Sequence, residues 1–436
     1  MTVESSLRAP LLLSDTARRW PRRRVCVVAL TAAALLLASK LSSADSMIGL
    51  EQPKDELNEL LILGKGGAIW ANGTREVNAS GLFTWACALS EDDHPRLALV
   101  EEDAATLWDW LPGREPRRVA LSLLRRPVQC VRRGAAVIVA CFGEEDEAGR
   151  TGIAVIDVAS WTIVREHTFP GTTHVHHVYP LAGDGGSLLF TDVGDPWVTP
   201  ALLGGLYEVD LRHPTALPPR RIGPPMHARA ATFAPATLRI GGGGDGGSGC
   251  DGGLVHVITQ EPLGSATHVL TLNVSACSSD DRGSGFSNSD GGGDVGHGRA
   301  RTTARMSGTL AFDLALPTPR LPSDGGADIF RVGARLFATD RFRGNGVLYE
   351  LTSTERGRAR GRLAVRASVE LGVHPRFTGA LGSSDTIYSV SRDDGRVTFI
   401  DVATLAVRAQ RPAFVAQPCF LARCSAALSA RDEDVV

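Results

Sequence analysis

Hydrophobic and polar residues alternate along short segments of this chain, and turns rich in Gly, Asp or Asn separate the segments. Residues 174–211 (HVHHVYPLAGDGGSLLFTDVGDPWVTPALLGGLYEVDL) contain an apolar segment, a Gly-Asp-Gly-Gly turn, a strand at 187–191, an acidic loop and a strand at 206–209. Alternation with a period of two is typical of β-strands that pack on one face. The polar residues fall where strands begin and end, and these positions surround the central channel of a β-propeller.

The same order of elements recurs along the chain. Residues 327–351 (ADIFRVGARLFATDRFRGNGVLYEL) and 375–402 (PRFTGALGSSDTIYSVSRDDGRVTFIDV) repeat it, and fainter copies occupy 128–158 and 97–121. A spacing of roughly 45–60 residues is that of a four-stranded propeller blade with its loops. Helical periodicity is nearly absent after residue 65. We therefore predict an all-β fold, a seven-bladed β-propeller over residues 61–415 with six blades as the alternative, in which the earliest blade takes strands from both chain ends.

Residues 1–44 are not expected to belong to the propeller. Arginines at 18, 19 and 22–24 precede an apolar run at residues 25–39, and small residues follow it. This is the pattern of a secretory signal peptide, with cleavage after Ala44. Extended to Ala44, the run approaches the length of a membrane span, so a signal-anchor with cytosolic arginines is the alternative. Both hypotheses send the protein into the secretory pathway, either secreted or lumenal on a single-span membrane anchor, with residues 45–60 as a linker.

The glycosylation sequons and the cysteines are consistent with a protein of the secretory pathway. Three Asn-x-Ser/Thr sequons begin at Asn72, Asn78 and Asn273, so glycosylation is predicted. Core packing is the expected role of three cysteines in apolar strands: Cys87, Cys130 and Cys141. Two other pairs are candidates for disulfides, although the sequence does not fix connectivity: Cys419 with Cys424, and Cys250 with Cys277. No pair has the spacing of a zinc site, so neither a structural metal nor a cofactor is predicted.

Charge and composition exclude some partners. With 46 basic and 48 acidic residues the formal net charge is −2, so no overall field favours nucleic acid, and we expect a monomer without a nucleic-acid partner. Gly-rich segments near 241–253 and 278–299 bury too little apolar surface to fold by themselves. They are predicted to be disordered insertions into the loops of one blade. Residues 416–436 are interpreted as a C-terminal tail.

Three polar segments carry candidate chemistry. They are His174-Val175-His176-His177-Val178 followed by LLFTDVGDPWV, Ala327-Asp328-Ile329 with FATDRFRGN, and His374-Pro375-Arg376-Phe377 with TIYSVSRDD. In this order they resemble the motifs of the lactonase family of seven-bladed β-propellers, whose type member is the bacterial 6-phosphogluconolactonase. The sequence differs from the family pattern in four respects: Asp328 stands for a usual Glu, Asp340 and Ser391 each stand for a usual Asn, and Phe377 directly follows Arg376 without the usual polar residue between them.

The resemblance implies hydrolysis of a sugar-type lactone, similar to 6-phosphogluconolactone, at the mouth of the central channel. Opening a lactone requires a proton acceptor for water and a donor or cation for the developing oxyanion. Candidates for these roles are His174, His176, Asp192, Asp328, Arg341 and Arg376. In a regular strand His174 and His176 share one face and His177 lies on the other. Two such histidines could also ligate a metal, but no third ligand is evident.

Each candidate has a structural alternative. The histidines can hydrogen-bond carbonyls of a neighbouring blade, Asp192 can cap its own turn, and the arginines can form inter-blade salt bridges. The alternative function is therefore a non-catalytic propeller similar to YVTN-repeat surface proteins, which binds a protein or glycan partner. The same site chemistry could also run in reverse and close an acid to a lactone.

Overall fold

Strands are the regular elements of the described part of this protein. The computed structural model describes residues 59–90, 96–143, 150–169, 171–172, 174–181, 187–195, 202–211, 218–233, 251–260, 265–278, 304–317, 323–342, 345–354, 362–380 and 385–423. Within these residues there is no helix, which confirms the all-β prediction, and hence no helix that could cross a membrane. The predicted signal segment and most of both Gly-rich segments lie outside the described residues.

Both ends of the chain contribute to one six-stranded sheet. Its strands are β1 (Leu60–Trp70), β2 (Arg75–Ala88), β3 (Leu97–Glu101), β4 (Thr106–Trp110), β5 (Arg117–Ala120) and β26 (Ala416–Arg423). They are ordered β26-β1-β2-β3-β4-β5, and Leu61 of β1 lies opposite Ala422 of β26. The prediction that both chain ends supply strands is thus confirmed. The segment that we interpreted as a tail after residue 415 instead begins with a strand of this sheet.

The other five sheets each have four antiparallel strands in sequence order. They are β6 to β9 (Pro127–Arg133, Ala136–Cys141, Gly152–Asp157, Thr162–Thr168), β10 to β13 (Val175–Pro180, Ser187–Asp195, Leu202–Asp210, Arg220–Met226), β14 to β17 (Ala228–Phe233, Asp251–Thr259, His268–Ser278, Ala304–Ala315), β18 to β21 (Ser323–Val332, Arg335–Phe342, Val347–Ser353, Leu363–Glu370) and β22 to β25 (Pro375–Ala380, Thr386–Ser391, Arg396–Asp401, Val407–Pro412).

The sheets form a six-bladed propeller, so the alternative blade number is confirmed and the preferred number of seven is wrong. The reason lies in β2, which is longer than the other strands. Its first half, with Val77 and Asn78, pairs with β1, and its second half, from Phe83 to Ala88, pairs with β3. The strands β26 and β1, which would belong to a separate blade in a seven-bladed propeller, are therefore joined through β2 to the sheet that contains β3, β4 and β5.

The first strand of each four-stranded sheet, together with β2 and β26 of the six-stranded sheet, lies on the inside. β2, β6, β10, β14, β18 and β22 contact one another in this order, and β26 contacts both β22 and β2. Strands next to the inner ring are buried almost throughout, as in β7 and β11, whereas the outer strand β25 is mostly exposed. The strict alternation expected from the sequence therefore fails near the axis, because neighbouring blades cover both faces of a strand.

Two kinds of link join neighbouring blades. Arginine side chains donate to carbonyls of the next blade, as from Arg133 Nη1 to Ser187 O (3.0 Å) and from Arg165 Nη1 to Leu211 O (3.2 Å). In addition, Cys87 of β2 and Cys130 of β6 form a disulfide. The prediction that these two cysteines only pack in the core is therefore wrong, because adjacent inner strands bring them together.

Two further cysteines are free thiols. Cys141 and Cys419 are buried and free, and the thiol of Cys419 donates to Gln417 O at 3.3 Å. Cys250 and Cys424, the proposed partners in two further disulfides, lie outside the described residues.

Candidate functional site

A β-bulge near the beginning of each of six inner strands builds the candidate site. The register of each inner strand against the second strand of its sheet shifts by one residue. The residues inside these shifts, which we name the bulge ring, are Thr84, Val128, His176, His177, Ala327, Asp328, Arg229 and Arg376. A bulge redirects a side chain out of the regular alternation of a strand. Because the inner strands surround one axis, their bulges bring polar side chains together.

Hydrogen bonds connect the bulge ring from strand to strand. His177 Nδ1 lies 2.9 Å from Arg229 O, which joins β10 to β14. Arg229 Nε donates to Ala327 O at 3.3 Å, which joins β14 to β18. Thr378 N donates to Asp328 Oδ2 at 3.0 Å, which joins β18 to β22. Side chains from four consecutive inner strands are thus fixed relative to one another.

Arg229 is the buried cation at the centre of this set. Its side chain is 8% exposed, and Nη1 donates to Gln260 Oε1. Burial, and then the positive charges of Arg341 and Arg376, lower the pKa of the Arg229 guanidinium, while the charge of Asp328 opposes this effect. Arg229 thus interacts with two other arginines and with two carboxylates, Asp328 and, more weakly, Glu102, so the arginines outnumber the carboxylates.

Asp328 is the carboxylate of the bulge ring. Burial raises its pKa from 3.8 to about 6, although Arg229, the Thr378 amide and Arg341 each favour the charged form. The rise in the pKa of Asp328 caused by desolvation is thus larger than the lowering caused by two nearby cations. A carboxyl group with a pKa close to neutrality can accept a proton at pH 7 and also return it.

Two adjacent histidines face each other beside these charges. The bulge between Val175 and Val178 breaks the predicted alternation, and His176 Nδ1 lies 2.7 Å from His177 Nδ1. Burial lowers the pKa of His177 to about 4. Burial, Arg229, His177 and the two other arginines also lower the pKa of His176 well below its usual value. Both imidazoles are therefore neutral at physiological pH.

Arg341 and Arg376 supply the other two cations. Arg341 is the penultimate residue of β19 and is 4% exposed. Arg376 follows Pro375 and His374, and His374 has a φ of 55°, in the left-handed region that is uncommon outside glycine. In the part of the chain that the structure describes, the buried Nε of Arg376 has no hydrogen-bond partner. The backbone at His374 positions Arg376, and the unpaired Nε of its guanidinium can donate a hydrogen bond to a ligand.

His174 and Asp192 hold the backbone of the site. Asp192 is 1% exposed, and its Oδ1 accepts from His174 N (2.8 Å) and from Gly194 N (3.0 Å). The His174 ring stacks on Phe142 at 4.1 Å between centroids, and its Nδ1 lies 3.1 Å from Phe142 O. His174 thus pairs with a carbonyl of a neighbouring blade and Asp192 caps its own turn, which are the structural alternatives considered for these two residues. They keep the beginning of β10 in place beside the bulge.

Aromatic rings pack against one another next to the bulge ring. Trp85 of β2 contacts Phe420 (4.3 Å between centroids), His177 (5.5 Å) and Phe377 (6.1 Å), which belong to three other inner strands. Phe377 and Phe420 also contact each other at 4.5 Å. An apolar surface therefore adjoins the charged groups, an arrangement typical of small-molecule sites.

Of the six predicted site residues, the structure brings four together: His176, Asp328, Arg341 and Arg376. Sequence reasoning missed Arg229 and assigned His177 to the opposite face. Arg229 starts its strand in the segment HARAATF, at the same place relative to the bulge as Arg376. An alignment of strand beginnings could have found it. Among the described residues, no three His, Cys, Asp or Glu side chains are placed to hold a metal ion.

Comparisons with known proteins bear on the fold. No model of a known protein family matches the chain, and no curated protein sequence matches it. Among solved structures, a protein of Bacteroides fragilis provisionally named 6-phosphogluconolactonase is 13% identical with a TM-score of 0.53, over 85% of this chain and 99% of that chain. A protein of the same provisional name from Bacteroides uniformis is 13% identical with a TM-score of 0.53, over 83% and 98%.

A third solved structure, the periplasmic gluconolactonase of Pseudomonas aeruginosa, is 14% identical with a TM-score of 0.53, over 84% of this chain and 99% of that chain. At such identities the similarity shows the fold alone. The chain is a β-propeller similar to those of lactonase-like proteins.

Proposed function

We propose that this protein is an enzyme that hydrolyses a sugar-type lactone at the bulge ring, with 6-phosphogluconolactone as one candidate substrate. The observation that carries the proposal is Asp328, a carboxyl group with a pKa of about 6 beside three arginines and a neutral histidine. Such a set contains a proton acceptor and cationic groups for an oxyanion within one small volume. The fold of the lactonase-like structures supports the same class of reaction.

The reaction follows from these groups. Asp328 takes a proton from water while the water oxygen bonds to the carbonyl carbon of the lactone. The electron pair of the carbonyl bond moves to the carbonyl oxygen, whose negative charge the arginines stabilise. When the carbonyl re-forms, the bond to the ring oxygen breaks, and the protonated Asp328 returns its proton to that oxygen. Lactone and water thus become an open hydroxy acid.

Three arginines are more than the stabilisation of one oxyanion requires. Arg guanidinium groups bind phosphate and carboxylate through two parallel hydrogen bonds. Arg229 is already bonded to Gln260 and Ala327, whereas the buried Nε of Arg376 has no hydrogen-bond partner among the described residues. We therefore assign Arg376 to an anionic substituent of the substrate, and Arg229 and Arg341 to the oxyanion. A phosphorylated sugar lactone fits this assignment.

The proposed location is the secretory pathway or the space outside the cell. The disulfide between Cys87 and Cys130 supports it, because disulfides persist in oxidising compartments. The Pseudomonas aeruginosa gluconolactonase is a periplasmic protein, so an exported propeller of this kind has a precedent.

Hydrolysis of δ-gluconolactone and of its 6-phosphate by the purified protein, measured above the spontaneous rate, tests the proposal. We expect the Arg341→Ala variant to lose about 10²- to 10³-fold in kcat/KM, as when an oxyanion donor is removed. The His176→Ala variant should lose activity as well. The matched control is Arg366→Ala, which removes an arginine 63% exposed on the outer strand β21.

The same assay separates the enzyme from the alternative function. No hydrolysis on a panel of lactones, together with tight binding of a glycan or protein, would assign the protein to the non-catalytic propellers. Equal losses in Arg341→Ala and Arg366→Ala would contradict the site.

A further inference from the structure

We propose that His177 is a positioning residue: it fixes the tautomer of His176, so that His176 carries its proton on Nε2 and acts as a hydrogen-bond donor to the ligand. The inference deepens the proposed function, since it assigns His176 to the oxyanion and leaves Asp328 as the base. The part that concerns the tautomer stands on geometry alone.

The proton of His177 follows from its two neighbours. His177 Nδ1 lies 2.9 Å from Arg229 O and 2.7 Å from His176 Nδ1. A backbone carbonyl can only accept, so His177 Nδ1 bears the proton and donates it. Two N–H groups cannot face each other at 2.7 Å, and His176 Nδ1 is consequently the unprotonated, accepting nitrogen. A neutral His176 then has its single proton on Nε2.

Neighbouring groups hold the His177 ring in this orientation. Its backbone N donates to Thr191 Oγ1 at 3.1 Å, and the same hydroxyl donates to Arg229 O at 2.8 Å. Trp85 contacts the ring edge-on at 5.5 Å, and Tyr179 stacks with it at 6.2 Å. The acceptor that determines the proton of His177 is thus itself fixed by the fold.

Charged groups around His176 keep it neutral. Arg229 from β14, Arg341 from β19 and Arg376 from β22 all disfavour a cationic ring, in addition to burial. Asp328 from β18 interacts with Arg229 and Arg341. Glu102, in the turn after β3, interacts with Arg229 and Arg376. A second proton on His176 Nδ1 would also point at the N–H of His177. The ring can therefore donate from Nε2 but cannot serve as the base through Nδ1.

The tautomer of His176 determines which residue stabilises the oxyanion and which residue acts as the base. A neutral imidazole that donates through Nε2 stabilises a carbonyl oxygen as negative charge develops on it. The proton of the attacking water must then go to Asp328. The ligand is expected to present a hydrogen-bond acceptor to His176, and a lactone carbonyl is such a group.

Nitrogen NMR of the full protein labelled with ¹⁵N-histidine tests the tautomer. The His176 signals are assigned by their absence from the His176→Gln variant, and nitrogen–proton couplings identify which ring nitrogen bears the proton. The expected result is protonated Nε2 and bare Nδ1 in the unmodified protein. A proton on Nδ1 of His176 would overturn the proposal. This measurement needs no substrate, so it stays decisive if the protein proves not to be a lactonase.

Two variants of His177 test the cause. His177→Phe keeps an aromatic ring but has no donor, so the repulsion that opposes a second proton on His176 disappears. The pKa of His176 should rise by about 0.4 to 1 pH unit, the equivalent of one ordinary hydrogen bond. His177→Gln retains an NH₂ group that can donate to both acceptors, and it should leave the pKa of His176 near its original value.

The kinetic readout follows the same pairing. If the protein is a lactonase, kcat should fall in His177→Phe and be retained in His177→Gln, whereas the low-pH limb, which Asp328 sets, should stay in place in both variants. An unchanged titration of His176 in His177→Phe, or equal shifts in both variants, would show that His177 is only a packing residue and would refute the inference.

Discussion

Replacing Asp328 with Asn should abolish hydrolysis and, at neutral pH, increase stability. Burial raises the pKa of Asp328 from 3.8 to about 6, so the folded protein binds this proton more tightly than the unfolded chain does. Stability is consequently highest below pH 4 for this group and is lost as the pH rises through 6. The rise in pKa corresponds to about 3 kcal/mol in the free energy of unfolding. The D328N variant has no charge to bury and avoids that loss.

Thermal unfolding at two pH values measures the effect. At pH 7.5 the D328N variant should melt a few degrees above the unmodified protein, and at pH 4 the difference should vanish because Asp328 is protonated there. Catalysis supplies the second readout. If the ionised carboxylate is the base, kcat/KM above the spontaneous rate should rise about tenfold between pH 5 and pH 7, as the ionised fraction grows around a pKa of 6.

An exposed carboxylate provides the control. Glu115, in the loop between β4 and β5, is exposed, so Glu115→Gln should change neither the pH dependence of melting nor the rate. Activity that survives in D328N would exclude Asp328 as the base. A melting difference that is the same at pH 4 and pH 7.5 would show that the burial argument fails.

Three further predictions concern the scaffold. Cys87→Ser should lower the free energy of unfolding by about 4 kcal/mol in denaturant titrations, because the disulfide closes a loop of 43 residues. The control is Cys141→Ser, which changes a buried free thiol, and an equal effect of both variants would contradict the prediction. Secretion from a eukaryotic host followed by glycosidase treatment should lower the apparent mass, since all three sequon asparagines are exposed; an unshifted band from secreted protein would refute glycosylation at Asn72, Asn78 and Asn273. Replacing residues 279–298 with a short Gly-Ser linker should shift the Tm by only a few degrees, because loop-closure cost grows slowly with length; loss of folding would show that the segment packs on the propeller.

The all-β propeller could be predicted because its strands and turns are local features. The repeated endings IAVIDV, GLYEVDL and RVTFIDV lie on the third strands β8, β12 and β24 of three sheets. The blade number could not be obtained in this way. It depends on β2, whose two halves pair with β1 and β3, and continuous pairing of this kind leaves no mark on composition.

The candidate site was predictable only where its residues lie at strand beginnings. His176, Asp328 and Arg376 were found because the family motifs contain them, but the register shifts that orient them are not visible in alternation. His177 illustrates the difficulty: a regular strand places it opposite His176, and one additional residue in the bulge brings the two Nδ1 atoms to 2.7 Å. The pairing of Cys87 with Cys130 was missed for a similar reason, because it depends on which inner strands are neighbours.

The bulge ring is a place where this fold gives up stability. Like charges on Arg229, Arg341 and Arg376 oppose each other in a desolvated site, and the carboxylates of Asp328 and Glu102 compensate them only in part. Elsewhere in the same molecule arginines stabilise the fold, since Arg117 and Arg96 share the carboxylate of Asp109, and Arg96 also donates to Val158 O of the next blade. The two groups of arginines should therefore respond to substitution in opposite ways. Neutralising a bulge-ring charge should cost activity more than stability, whereas neutralising an inter-blade arginine should cost stability and leave the pH profile of the site unchanged.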